Sequence, residues 1–371
     1  MHSAAHVLIP TGRVFTPEEI TFYADKGDRS LAEAIAEADV LVSCPHSGAA
    51  IPAELAPFLA PELTRRQQYD FSDVSTSPVA RRWAEIDPRV VCVENPHPRV
   101  VRDADRGRPG DLAATLREAI ARVRAAGPSG QADLTGVDAI RPVTPSAIPL
   151  LALPDADDDL ELLVATFVAV AERGLGVYER TRDVLRERFV AQKIAAAHAD
   201  GRSRRFTALS FHDTMNRTIT PGGAVNAERP REDRLPAIVV LSNRGGRDGG
   251  PIGDGPVTMR PDLIRTLAEA HRTVFGAASD DDVQLNRPFL GGQEVIASGA
   301  RFRELSSAAD AAGLTLSAVQ AEFLRELLLG ERNTAELAKP GAGWVEPDVE
   351  QVDRIAHACK AAWDEFRATQ P

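Results

Sequence analysis

Short runs of apolar residues, rich in β-branched and aromatic side chains, predict six strands along the chain. They lie at residues 39–44, 90–94, 206–211, 237–242, 283–285 and 314–322. Apolar residues at helical spacing predict helices at residues 78–85, 110–125, 159–172, 177–199, 260–274 and 349–368. Because strands alternate with helices, we expect an α/β fold whose mainly parallel sheet is covered by helices on both faces.

The length of the chain, 371 residues, is sufficient for one large α/β domain or for a domain with an added subdomain. Residues 127–157 are polar, rich in proline and aspartate and poorly periodic, which indicates an insertion. We therefore predict a single domain over residues 1–371, with its core motifs in residues 39–330. A helical and irregular insertion would occupy residues 107–200, and a helix at residues 349–368 would end the chain.

The overall charge narrows the range of partners. A net charge of −11 and a pI near 5.3 argue against nucleic acid or an anionic membrane as partner. No apolar stretch approaches the length of a membrane span, and the first residues show no secretory signal. We expect a cytoplasmic protein that acts on a small molecule, and the sequence leaves its oligomeric state open.

Two histidines follow or end predicted strands. His46 comes two residues after the run at 39–44, and His212 comes directly after the run at 206–211. The carboxyl ends of parallel strands form the edge at which α/β sheets assemble their active sites. One such histidine is more often a buried residue that bonds a carbonyl, but two in this context favour metal ligation. Two imidazoles and an acidic ligand are the usual protein share of a catalytic zinc site.

Two aspartates compete for the place of the third ligand. Asp70 and Asp73 both precede a predicted helix, so one of them is a candidate N-cap with a purely structural role. Asp73 lies in the loop proper and is the better candidate for the metal. The choice between Asp70 and Asp73 stays open at this point.

Further charged and polar groups follow other predicted strands. Residues 98–106 contain three arginines and two aspartates, which usually indicates a solvated charge run. Here the run is flanked by prolines, and a guanidinium is a natural clamp for a carboxylate. By strand alternation, Gln320 and Glu322 share one face while Ala321 takes the other. A glutamate at a strand end suits a general base, although most glutamates are simply solvated.

Taken in chain order, these segments resemble the N-formylglutamate amidohydrolase family over roughly residues 39–330. The family's Pro-His-[Ala/Ser]-Gly box is similar to residues 45–48, and its Asp-x-Gly-[Thr/Ala] box to residues 73–76. Its arginine box, Ser-Arg-Tyr-Val-Val-Asp-Leu-Asn-Arg, is similar to residues 98–106, and its Asp-x-His-Ser box to residues 210–213. Its Asn-x-Pro-Phe-x-Gly-Gly and Gln-x-Glu motifs match residues 286–292 and 320–322.

This resemblance implies a three-layer α/β sandwich, similar to the zinc carboxypeptidases, with one catalytic zinc ion. It implies that the metal ligands are His46, Asp73 and His212. Glu322 would be the general base, and Arg99 and Arg106 would bind the substrate's carboxylate, Arg99 also counting as a catalytic residue. Asn243 and Asn286 are further candidates for the substrate pocket.

The departures from the family boxes include three charged residues. Asp105 stands at an asparagine position, Arg102 at a valine position and Asp213 at a serine position. We expect Arg102 to pair with Asp103 or Asp105, and we expect a preserved mechanism with a changed substrate.

The resulting prediction is a zinc-dependent hydrolase of the amide of a small N-acyl amino acid such as N-formylglutamate. One alternative is a deacylase or peptidase-like hydrolase of a larger amide from a biosynthetic pathway, with residues 107–200 as a lid. Another is a catalytically inactive binding protein on the same fold. No P-loop, GxGxxG after a strand or GxSxG turn favours a nucleotide-binding protein or a serine hydrolase.

Overall fold

The computed structural model describes residues 8–127, 130–154 and 156–369. The first residues, in which the sequence shows no secretory signal, therefore lie partly outside the described residues. Eleven strands are present in the described part of the chain. They are β1 (Leu8–Ile9), β2 (Thr21–Tyr23), β3 (Val40–Cys44), β4 (Ile51–Pro52), β5 (Val90–Glu94), β6 (Arg204–Thr214), β7 (Arg217–Ile219), β8 (Val225–Glu228), β9 (Val239–Ser242), β10 (Val283–Leu285) and β11 (Leu314–Leu324).

Eleven α-helices accompany these strands within the described residues. They are α1 (Leu31–Glu37), α2 (Arg65–Asp70), α3 (Thr76–Ile86), α4 (Leu112–Ala126), α5 (Asp157–Arg173), α6 (Leu175–Asp200), α7 (Pro261–Phe275), α8 (Gln293–Glu304), α9 (Ser306–Ala311), α10 (Arg325–Leu337) and α11 (Val349–Ala368). Gly330 interrupts α10 with a left-handed backbone (φ 74°). Short 3₁₀ helices lie at Ala53–Phe58, Arg231–Asp233 and Asp280–Asp282.

A seven-stranded mixed sheet forms the centre of the fold, with strand order β10-β9-β11-β6-β3-β5-β2. Its four central strands, β11, β6, β3 and β5, are parallel to one another. β9 runs antiparallel to β11 and parallel to β10, and β2 runs antiparallel to β5. The carboxyl ends of the four central strands therefore meet at one edge of the sheet, while β9 and β10 run the opposite way and β9 ends with Ser242 beside Gln320 of β11.

Apolar side chains alternate along the central strands and build a core on each face of the sheet. On one face, Leu41 and Phe206 pack with helices α4, α5, α6 and α8. On the other face, Val42 and Phe211 pack with helices α3, α7 and α11. The prediction of an α/β fold with helices on both faces of a mainly parallel sheet is confirmed, and the three layers are those of a sandwich.

All six predicted strands are present, and the helix predicted at 349–368 has the predicted bounds. β6 runs to Thr214, so His212 lies inside the strand near its end rather than after it. The short helices α1, α2 and α9 and the longer α8 and α10 are absent from the prediction. Helices α4, α5 and α6 fall within residues 107–200, the proposed insertion. None of the described helices combines the length and apolar character that crossing a membrane requires.

Candidate active site

Four polar side chains converge at the carboxyl edge of the central strands. His46 lies two residues after β3, and His212 lies in β6 directly beside Glu322 of β11 in the strand register. Strand alternation directs His212 and Glu322 to the face that α6 and α8 cover. Asp73 lies in the turn between α2 and α3, and its backbone N–H donates to the His46 carbonyl (3.0 Å). All four side chains are buried.

His46, Asp73 and His212 form a compact cluster. The Asp73 Oδ2 atom lies 3.3 Å from His46 Nδ1 and 3.0 Å from His212 Nδ1. Among the described residues, these three alone form a group of His, Cys, Asp or Glu whose ligand atoms all lie within 4.8 Å of one another. Asp70, the competing aspartate, accepts instead from the Thr218 hydroxyl (3.3 Å) at the end of α2. The geometry therefore favours Asp73 over Asp70 as the acidic ligand.

The outer nitrogen of each histidine has its own partner. His46 Nε2 lies 2.6 Å from a carboxylate oxygen of Asp103, and His212 Nε2 lies 2.9 Å from the Ser210 hydroxyl. The sequence analysis names Asp103 only as a possible partner of Arg102, so its contact with a histidine of the cluster is not foreseen. A histidine ligand usually donates its other N–H to such a partner, which fixes the ring and its tautomer. Two Nδ1 atoms and one carboxylate, with both Nε2 atoms engaged, suit the donor preferences of zinc.

The charges of the cluster shift its pKa values strongly. Burial by itself raises the pKa of Asp73, but the two adjacent imidazoles outweigh it and hold that pKa well below its usual range. Burial by itself lowers the pKa of His212, but Asp73, Glu322 and Asp105 raise it to about 10. Burial and the charge of Arg99 by themselves lower the pKa of His46, but Asp103 and Asp73 outweigh them and raise it. The carboxylates around the two imidazoles thus favour positive charge at this position.

Glu322 is held in place beside the cluster. Its Oε1 accepts from the Thr214 hydroxyl (2.7 Å) and its Oε2 from the Gln320 amide (2.9 Å). Ala321 packs in the core on the opposite face, so the predicted alternation of these side chains is confirmed. Burial, reinforced by the charge of Asp73, raises the pKa of Glu322. A carboxylate with a raised pKa is a stronger proton acceptor than an ordinary glutamate.

The two arginines assigned to the substrate occupy different environments. Arg99 donates to Asp103 (2.9 Å), its guanidinium lies over the Phe71 ring (5.0 Å), and its Nε is buried with no hydrogen-bond partner in the described structure. Arg106 donates to Asp138 (2.9 Å), and its side chain is 42% exposed. Arg99 thus has an unused donor near the cluster, whereas Arg106 lies further out.

Asn243 and Asn286 bond to each other rather than to residues of the cluster. Each follows a strand, β9 or β10, that runs opposite to β11, and in the register both lie near the level of Gln320. The Asn286 amide donates to Asn243 Oδ1 (2.8 Å), and Asn286 Oδ1 accepts from the Asn243 backbone (2.9 Å). Their remaining amide hydrogens bond to backbone carbonyls. The structure therefore does not bring these two residues together with the other candidates.

The residues that depart from the family boxes have clear structural roles. Asp105 accepts from the Glu294 backbone (3.1 Å) and so caps α8, where a Cβ at Gly292 would lie 1.6 Å from its Oδ2. Arg102 pairs with Glu179 of α6 (2.6 Å), so its predicted pairing with Asp103 or Asp105 is wrong. The error arises because its partner lies 77 residues away in sequence.

Arg325, another residue missed in the sequence, holds the Asp73 turn against the sheet. Its guanidinium donates to the Tyr69 carbonyl (3.0 Å), the Ser72 carbonyl (2.6 Å) and the Asp213 carboxylate. Asp213 also accepts from the Ser75 backbone (3.1 Å), and burial raises the pKa of Asp213 to about 7. The only sequence signal for Arg325 is its position directly after β11, three residues beyond Glu322.

A buried pair of histidines with one aspartate, beside a buried glutamate at the carboxyl edge of an α/β sheet, is typical of hydrolases that use a metal-activated water. Comparison with known families makes the assignment specific. Residues 38–329 match the model of the N-formylglutamate amidohydrolase family, and the chain belongs to that family. The predicted family resemblance is confirmed, and with it the expectation of a hydrolase that acts on an amide bond.

One solved structure supports the fold assignment. The chain is similar to the crystal structure of N-formylglutamate amidohydrolase from Ralstonia eutropha JMP134, with 20% sequence identity and a TM-score of 0.50. The similarity covers 90% of this chain and 96% of that chain. The comparison with curated proteins gave no match.

Proposed function

We propose that this protein is a zinc-dependent amidohydrolase that cleaves the amide of a small N-formyl amino acid such as N-formylglutamate. The observation that carries the proposal is the convergence of His46, Asp73 and His212 beside Glu322 in a chain of this family. The proposed metal ligands are these two histidines and the aspartate. When bound there, zinc would lower the pKa of a water molecule toward ~7 and polarise the scissile carbonyl.

Glu322 is the proposed general base. Its carboxylate takes a proton from the attacking water and delivers it to the nitrogen of the leaving amine. Thr214 and Gln320 each hold one of its oxygens, so the carboxylate is oriented before the substrate arrives. Its raised pKa favours the first transfer, and the protonated form is then available for the second.

Arg99 is the proposed contact for the substrate's carboxylate or for the developing charge on the carbonyl oxygen. Its Nη2 is fixed by Asp103, and its buried Nε has no partner in the described structure, so a donor is left for the substrate. The same Asp103 carboxylate bonds His46, so the arginine and a metal ligand are positioned by one group. Arg106 is proposed as an outer contact, because its side chain is partly exposed.

Hydrolysis of N-formylglutamate by the metal-stripped and zinc-reloaded protein tests the proposal. We expect zinc to bind in a one-to-one ratio and formate to be released only from the reloaded form. The matched control is Glu322→Gln, which should bind zinc and lack turnover. A zinc-loaded protein that hydrolyses no N-formyl or N-acetyl amino acid would favour the inactive binding protein, and activity on larger amides alone would favour the deacylase.

A further inference from the structure

Glu294, at the start of α8, is the centre of a buried polar network behind the metal cluster. The residue is 4% exposed. Its Oε1 accepts from the Tyr178 hydroxyl (2.6 Å) and from the Arg182 guanidinium. Its Oε2 accepts from the Ser43 hydroxyl (2.6 Å) and the Ser210 hydroxyl (3.0 Å). A carboxylate this deeply buried is costly unless it is fully paired, as it is here.

The direction of each hydrogen bond in this network follows from a count of protons. Burial by itself raises the pKa of Glu294, but Arg182 and the hydroxyl donors lower it, so the carboxylate is ionised and only accepts. Ser210 has one hydroxyl proton, and it points to Glu294. The Ser210 oxygen can then only accept from His212 Nε2, 2.9 Å away. With the Nε2 proton of His212 donated to Ser210, Nδ1, the atom that lies 3.0 Å from Asp73, is the nitrogen that would bind a metal.

We propose that Ser210 and Glu294 are positioning residues that fix the tautomer and ring orientation of His212 for metal binding. The inference rests on the proposed zinc function of the site. The two metal histidines would then be held in different ways. His46 bonds directly to the Asp103 carboxylate, whereas His212 reaches the Glu294 carboxylate through the Ser210 hydroxyl.

The strand geometry places the serine and the histidine side by side. Residues 210 and 212 lie two apart in β6 and share one face of the strand. Glu294 comes to the same face from α8 and supplies the negative charge that a serine lacks.

Helix α6, within the proposed insertion, completes the network. Tyr178 and Arg182 lie four residues apart on this helix and therefore share a face. Arg182 is the cation that keeps Glu294 ionised. Helix α6 of the proposed insertion thus supports the Glu294 carboxylate. The orientation of His212 depends on that carboxylate.

Zinc affinity of the metal-stripped full-length protein, measured by competition with a chromophoric chelator, tests the inference. Ser210→Ala and Glu294→Gln should each weaken zinc binding by about 10–100-fold, the usual effect of losing such a partner of a metal ligand. The matched control is Ser43→Ala, because Ser43 donates to the same carboxylate oxygen without touching His212. It should bind zinc with nearly the affinity of the unaltered protein.

Two rescue variants separate positioning from structural support. Ser210→Thr keeps the hydroxyl and should keep most of the affinity. Ser210→Asp combined with Glu294→Gln moves the carboxylate next to His212 and should bind zinc more tightly than Glu294→Gln alone. The visible spectrum of the cobalt-substituted proteins reports the coordination of His212 directly, and thermal unfolding of the metal-free forms checks that each variant folds.

The outcomes distinguish the inference from the proposed function. Equal losses in Ser43→Ala and Ser210→Ala, or no loss in Ser210→Ala, would overturn the positioning role while leaving the zinc site in place. If Glu294→Gln does not fold, the comparison of Ser210→Ala with Ser210→Thr decides the question. An unaltered protein that binds no zinc would overturn the proposed function together with this inference.

Discussion

The four central strands and the β9–β10 flank of the same sheet run in opposite directions, and their polar residues do different things. His46, His212 and Glu322 come from strands that run in one direction, so their side chains meet. Asn243 and Asn286 follow strands that run the other way, and their amides bond to each other and to the backbone. A polar residue after a strand therefore acquires its role from the direction of that strand within the sheet.

The two regions also differ in how they use buried polar groups. At the histidines, the charge of Asp73 raises the pKa of Glu322, and Arg99 has an unused buried donor. At the flank, each amide hydrogen of Asn243 and Asn286 has a partner. The histidine region thus has a hydrogen-bond donor left for a ligand, whereas the amides of the flank spend theirs on holding a loop. Substitutions in the two regions should therefore have different effects.

The largest effect is expected from His212→Ala, with Asp73→Ala close behind. Either change removes one of three proposed protein ligands and should abolish zinc binding and turnover. Metal content and formate release measure the effect. The control is His271→Gln, because His271 is also buried but bonds only the Leu267 carbonyl in α7 (2.8 Å). Full zinc occupancy in His212→Ala would contradict the metal site, and with it the distinction between the histidine region and the flank.

The next largest effect is expected from Glu322→Gln. The amide cannot take a proton from water, so kcat should fall by about 10²–10⁴, the usual contribution of a general base. Zinc content and KM should be nearly unchanged. Glu326→Gln is a suitable control, because Glu326 lies four residues further on and is partly buried, but accepts from the Asn216 backbone (3.1 Å). A near-normal rate in Glu322→Gln would transfer the role to another carboxylate, with Asp213 the first to test.

A smaller effect is expected from Arg99→Ala. If the guanidinium binds the substrate's carboxylate, kcat/KM should fall by the value of a charge-assisted hydrogen bond, roughly 1.5–3 kcal/mol. The loss should shrink for substrate amides, which lack that charge. Arg106→Ala should cost less, because Arg106 is partly exposed and pairs with Asp138. Equal losses for acid and amide substrates would mean that Arg99 does not bind the substrate's carboxylate and acts on the carbonyl oxygen or through the fold.

Strand positions and the metal candidates could be predicted because their signals are local. Apolar runs and the residues that follow them are visible in a few residues of sequence. His46 and His212 lie in such a context, and Asp73 lies in a loop just before a predicted helix. Strand direction carries no local signal. For this reason Asn243 and Asn286 were grouped with the histidines, although β9 and β10 run opposite to β11.

The partners of the site residues could not be predicted, because they come from distant parts of the chain. Arg102 bonds Glu179, and Ser210 bonds Glu294, 84 residues further on. Such pairs are set by the packing of α6 and α8 against the sheet and not by any local pattern. Asp103 could have been found, since it lies in the arginine box, but its bond to His46 spans 57 residues. The cytoplasmic location and the single-domain organisation stay predictions.

The smallest effect on catalysis is expected at the flank, from Asn286→Ala. The change removes the hydrogen bonds to Asn243 and to the Gly246 carbonyl (2.7 Å), and it places alanine at a left-handed φ of 56° that asparagine tolerates better. The free energy of unfolding should fall by about 1–3 kcal/mol, the cost of leaving buried polar groups unpaired. Zinc affinity and KM should stay at their original values, as measured in the same preparations.

Asn286→Gly separates the two contributions, because glycine accepts the left-handed backbone but lacks the amide. The difference in unfolding free energy between the glycine and alanine variants gives the cost of the backbone strain, and the remaining loss belongs to the hydrogen bonds. A rise in KM without a loss of stability would contradict this assignment. The amides would then bind substrate, and the opposite direction of β9 and β10 would not distinguish a structural region of the sheet from a catalytic one.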